Sequence, residues 1–169
     1  MAIILVLAGL VLGTSGYVQK KGARSRAEAE IAAMSAALES YKADNGIYPT
    51  NSDTEGLAAN LDVDPTSPKY RNASLYLYKE ISGDTNGNRS GGGKSYMTFK
   101  PNMLNPPPPS AASVIAVRDP FGNSYGYSTI KAKAPSGSDG YNPTFDLWST
   151  AGTGVPGTAA DPKQWIKNW

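Results

Sequence analysis

The sequence predicts an α+β fold in which one long N-terminal α-helix packs on a small antiparallel β-sheet and ends in a loop-rich C-terminal region. Three observations predict it. No proline interrupts the chain before Pro49, and alanine is dense through residues 27–37. β-branched and alternating aromatic runs occur at residues 114–117, 125–129 and 144–149, each bounded by turn residues. Between them, Gly, Pro, Asn, Ser and Thr dominate, with 18 glycines and 13 prolines among 169 residues.

The helix comes first. Residues 1–18 carry no charged side chain; a basic cluster of Lys20, Lys21, Arg24 and Arg26 follows, then Glu28 and Glu30. From Ala27 the apolar residues recur at Ile31, Met34, Leu38 and Tyr41, steps of three and four that share one helical face. Asn45 and Gly46 make a good stop, since both tolerate the left-handed conformation at a helix end. Such a helix would be roughly 65 Å long, more than a domain of this size covers. Part of it must be buried in something other than its own chain.

Eighteen apolar residues span about 27 Å, just short of a hydrocarbon core of about 30 Å. Three readings stand. The segment is a cleaved secretory signal, although no basic region precedes it. It is a single-pass anchor, whose following basic cluster would then hold the domain in the cytoplasm. Or the sequence given starts part-way along the helix, downstream of a basic leader, which is the favoured expectation. Gly9 and Gly13 form a G-x-x-x-G pair that would allow close helix approach in lipid, or are simply tolerated there. With Thr14, Ser15 and Gly16 they are also the weakest helical stretch of the rod.

After Pro49, residues 53–61 are expected to form a short helix with an acidic start, broken by Pro65 and Pro68. Residues 75–81 fit a helix ending at Ser82 and Gly83 better than a strand. In the glycine-rich loop that follows, Asp84, Asn86 and Asn88 imitate the start of a calcium loop, but Arg89 and Ser95 occupy its glycine and glutamate places, so a plain loop is expected. Residues 95–100 suggest a strand or extended segment, and residues 106–109 a polyproline II spacer. The three β-like runs are expected to pair in one sheet covered by the apolar stripe of the helix, with Trp165 and Trp169 pinning the terminus.

Composition narrows function. Sixteen basic and fourteen acidic residues leave a charge of +2, too small to suggest nucleic acid. With no cysteine or histidine, Ser-His and Cys-His catalysis, Cys/His zinc sites and disulfides are excluded. Glu55, Asp119, Asp146 and Asp161 show no spacing that suggests a catalytic pair.

Several segments together resemble one family. They are the apolar start, residues 41–50 (YKADNGIYPT), residues 54–57 (TEGL), residues 119–123 (DPFGN) with Tyr125 and Tyr127, residues 145–149 (FDLWS), and the final Asn168 and Trp169. In this order the chain resembles the major pseudopilins of type II secretion, within the type IV pilin-like group. Residues 67–113 are read as an insertion outside the resemblance. The family's processing site and its buried assembly glutamate have no counterpart before Glu28.

The resemblance implies a pilin-like fold and a structural, non-enzymatic subunit. Residues 1–22 would be its membrane and filament-core segment. Residues 23–169 would be a periplasmic domain, with its sheet at about 114–149 and its C-terminal loop at 150–169. It further implies storage in the inner membrane and self-assembly into a helical filament, with other pseudopilins and the assembly platform as partners. Assembly would involve Gly9, Gly13, Lys20, Lys21, Arg24, Arg26, Glu28 and Glu30, the charged residues pairing either between subunits or locally at i,i+4. Calcium is implied in the loop after the last strand. Leu147, Thr150 and Asp161 are the candidate ligands there, and closure of that loop by hydrogen bonds is the alternative. The rival functional reading is a membrane-anchored periplasmic ligand-binding module, with the tyrosines of the sheet as its platform.

Overall fold

In the computed structural model the helical backbone is described from Ala2 and side-chain surroundings from Gly16 to Trp169. The expectations for the apolar segment, including Gly9, Gly13, Thr14 and Ser15, fall outside the described residues. Helix α1 spans Ala2–Asn45, 44 residues, about 66 Å long. It ends where expected: Gly46 has φ +79° and its N–H returns to Lys42 O at 2.8 Å. The stripe of Ala27, Ile31, Met34 and Leu38 is buried against the domain, and Tyr41 is half-buried.

Helix α2 is only Ser52–Glu55, shorter than the run to residue 61 that the acidic start suggested. Asn51 begins it well, its Oδ1 accepting from the N–H groups of Asp53 and Thr54 while Thr54 Oγ1 accepts from Asn51 N–H. Gly56 then ends it, and Asp62 Oδ2 captures the Ala58 N–H that a longer helix would have used within itself. Leu57 is thereby turned into the core.

Helix α3 spans Pro68–Ser82 and ends on Gly83, whose φ of +76° is left-handed. A Cβ at Gly83 would lie 2.6 Å from Gly93 O, and Gly83 O accepts from the N–H groups of Gly92 and Gly93. The plain loop expected here is thus pinned at its neck. Inside it Asp84 accepts from the N–H groups of Gly87, Asn88 and Arg89 and from the Tyr78 hydroxyl. Burial raises the Asp84 carboxyl, but these donors outweigh it and hold the pKa below the ordinary value.

The sheet differs from the single three-run sheet expected. Strand β1 (Leu104–Asn105) pairs antiparallel with β2 (Ala116–Val117) as a separate two-stranded ribbon. Strands β3 (Gly126–Ser128), β4 (Asp146–Ser149) and β5 (Ile166–Lys167) form a three-stranded antiparallel sheet in that order. Residues 114–117 stay beside β3 through a bridge between Arg118 and Ser124 and the Tyr125 N–H bond to Val117 O. Their other edge belongs to β1. Residues 95–100 form no strand, and the proline run closes as a turn, Ser110 N–H donating to Pro107 O, rather than as an extended spacer. A short helix, α4 (Ile130–Lys133), follows β3.

Two cores result. The larger joins the α1 stripe to Leu77 and Ile81 of α3, Tyr125, Tyr127 and Leu147. The smaller collects Leu57, Tyr70, Trp148 and Trp165, with Trp169 packed on it, so both C-terminal tryptophans anchor the tail as expected. Trp148 Nε1 donates to the Tyr70 hydroxyl at 2.9 Å, and that hydroxyl donates to Asp62 O at 2.8 Å.

Candidate assembly surface and C-terminal loop

The domain begins to cover α1 only near Ala23. Residues 16–22 are exposed, with Tyr17 at 71% and Val18 at 65%. Two large apolar side chains on a bare helix suggest a surface completed by something else. Lys20 and Lys21 lie exposed in this stretch and Glu28 lies exposed farther along α1, and the three make no ion pair among the described residues.

The remaining charged candidates are used within the chain. Arg26 Nε lies 3.2 Å from Glu30 Oε1, the local i,i+4 pair. Glu30 is buried, and its Oε2 accepts from the Tyr125 hydroxyl at 2.7 Å. Burial, then the charge of Glu30, holds the Tyr125 phenol far above its ordinary pKa. Arg24 Nη1 donates to Gln164 O at 2.6 Å, tying the C-terminal segment to α1 instead of pairing with Glu28. The six charged candidates therefore divide: Lys20, Lys21 and Glu28 face outward, Arg24 and Glu30 hold the domain on its helix, and Arg26 pairs with Glu30 along the helix itself.

A ligand platform of sheet tyrosines is not what the structure builds. Tyr125 and Tyr127 have no exposed surface, and Tyr127 donates to Pro49 O at 2.7 Å. The carboxylates have structural partners as well. Glu55 pairs with Lys133, Asp146 accepts from the N–H groups of Tyr141 and Asn142, and Asp119 accepts from Phe121 and Asn123 N–H and from Ser149 Oγ.

The calcium candidates sit around the loop between β4 and β5. Leu147 O accepts from Asn168 N–H, and Thr150 O accepts from both the N–H and the hydroxyl of Thr153. The Asp161 carboxylate accepts from Lys163 N–H and from Gln164 Nε2. Calcium takes six to eight oxygens, carboxylates among them. Residues 150–165 hold one carboxylate, Asp161, and one cation, Lys163, so the donor set does not fit that ion. Among the described residues no three His, Cys, Asp or Glu side chains group as a metal site. Thr153, at the centre of this loop, was not singled out from the sequence: a threonine between two glycines carries no pattern of its own.

A long N-terminal helix, exposed at residues 16–22 and clasped from Ala23 onward by a small α+β domain, defines the pilin-like class of subunits. The chain belongs to the type II secretion system protein G family, the major pseudopilins. The model of that family matches residues 16–90, and so takes in α3, which the sequence alone assigned to an insertion. The type II secretion system core protein G of Vibrio cholerae serotype O1 is 30% identical over 169 residues, all of this chain and 84% of that protein. No solved structure matches the chain.

Proposed function

We propose that the chain is the repeating subunit of a helical pseudopilus that serves type II protein secretion. The apolar start of α1 stores it in the inner membrane with its domain in the periplasm, and the same segment then stacks against copies of itself as the filament core. Among the described residues no helix is long and apolar enough to cross a membrane, and the segment assigned to the bilayer lies mostly outside them. The observation that carries this reading is the bare stretch at residues 16–22, which extends from the domain with Tyr17 and Val18 uncovered.

Moving a helix from lipid to protein brings little hydrophobic gain, so packing and polar pairing decide assembly. Lys20 and Lys21 of one copy pair with Glu28 of the next, because these three charges are exposed and make no ion pair among the described residues. Other pseudopilins and the membrane assembly platform would meet the same surface. Electron microscopy of cells overproducing the chain tests the proposal. Fibres are the expected result, and a protein that stays monodisperse in cells and after extraction would overturn it.

A further inference from the structure

We propose that the loop between β4 and β5 is closed by the hydroxyl of Thr153, in the place that a calcium ion would take in the family this chain resembles. Thr153 is 7% exposed, and its Oγ1 makes three hydrogen bonds. It donates to Thr150 O at 2.9 Å, and it accepts from Asp161 N–H and from Trp165 Nε1, each at 3.2 Å. One side chain thus joins the start of the loop, its far limb and the indole that seats the tail in the smaller core.

The backbone is shaped to bring that hydroxyl inward. Thr153 N–H donates to Thr150 O at 3.0 Å across Ala151 and Gly152, whose φ values of +54° and +83° are those of a type I′ turn. Gly154 follows, at φ +76°, and a Cβ there would lie 2.1 Å from Val63 O, so the loop also rests against the segment before α3. The Thr150 hydroxyl is buried without a partner, but one neutral oxygen beside a balanced Asp161 and Lys163 does not make a divalent site.

Calcium sites of extracellular modules reach dissociation constants as weak as about 10⁻³ M, so about 10 mM calcium tests even a poor one. The full chain in detergent is melted in excess chelator and in calcium, with magnesium as control. The expected result is one Tm within about 1 °C in all three, and no calcium heat in a titration, since an ion bound only by the folded state would raise Tm. A calcium-specific rise of several degrees overturns the proposal. Thr153→Val is expected to lower Tm by about 4 °C whether or not calcium is present, with Thr153→Ser restoring it. A Thr153→Val protein as stable as the parent, or one rescued by calcium, would also overturn it. If Thr153→Val fails to fold, the parent's response to calcium still decides. None of these readouts requires filaments, so failure here is distinguishable from failure of the proposed function.

Discussion

The Tyr125 phenol donates to Glu30 Oε2 at 2.7 Å across 95 positions of sequence. This bond joins α1 to the residue that immediately precedes β3 of the three-stranded sheet. It is made inside the larger core, with Arg26 closing the other side of the carboxylate at 3.2 Å. A carboxylate placed there in α1 needs both partners, because a buried acceptor left unmet costs about 1–3 kcal/mol.

Tyr125→Phe removes the donor and keeps the ring. The expected result is a loss of about 2 kcal/mol, a fall of roughly 4–8 °C in Tm for a chain of this length. Thermal melting followed by circular dichroism checks it. A Tm equal to the parent's would mean that the hydroxyl does not help to hold the helix on the domain.

Asp119 gives the domain a pH signature. Burial pushes its carboxyl up to about 6, and the bonds from Ser149 and from Asn123 and Phe121 N–H only partly offset this. The folded carboxyl holds its proton more tightly than an unfolded aspartate of pKa 3.8. Its stability contribution is therefore fully present below about 3.8 and lost as pH rises through about 6. On going from pH about 7.5 to about 5 the parent should gain about 1 kcal/mol relative to Asp119→Asn, which cannot titrate. Urea denaturation of the two proteins at both pH values measures the difference; a constant gap would contradict the raised pKa.

Gly126 is required by its neighbour. A Cβ there would lie 2.2 Å from Trp148 Cε2, and Trp148 is fully buried and hydrogen-bonded to Tyr70. Neither the indole nor the strand can move without breaking that bond or the pairing of β3 with β4. Gly126→Ala is expected to cost about 3 kcal/mol, with part of the loss recovered by Trp148→Leu in the same chain, because the two sites share one space. Additive losses in the double mutant would show that the clash is not the cause.

The long helix, its buried stripe and its stop at Asn45 were legible in the sequence because each follows from local spacing or local backbone preference. The helix before Gly83 and the anchoring role of the two C-terminal tryptophans were legible for similar reasons. Strand partners were not. Residues 114–117 could pair on either edge, and Leu104 lies in a segment with no alternating pattern to announce a strand. Helix α2 ends at Gly56, and Asp62, ten residues beyond the helix start, takes with its carboxylate the Ala58 N–H that would have continued it. Among the assembly candidates, the charged cluster itself was visible, but its division was not. That Arg24 and Glu30 turn toward the domain depends on Gln164 and Tyr125, both far away in sequence.

That division separates stability from assembly. Reversing Arg24 and Arg26 together, the obvious experiment from the sequence, confounds the two, since Arg26→Glu sets a carboxylate beside buried Glu30 and Arg24→Glu releases Gln164 O. Arg26→Glu should destabilise the domain by about 1–3 kcal/mol, less than a fully buried pair would because Arg26 is half exposed. Lys20→Glu with Lys21→Glu touches no described contact, so its Tm should stay within about 1 °C of the parent while fibres disappear. Adding Glu28→Lys to that pair restores opposite charges between copies and should bring fibres back, read by electron microscopy and by sedimentation. Fibres at parental yield from the double lysine reversal would mean that packing of the apolar segment alone assembles the filament. Fibres lost and not recovered by the third change would mean that the lysines meet a partner other than Glu28.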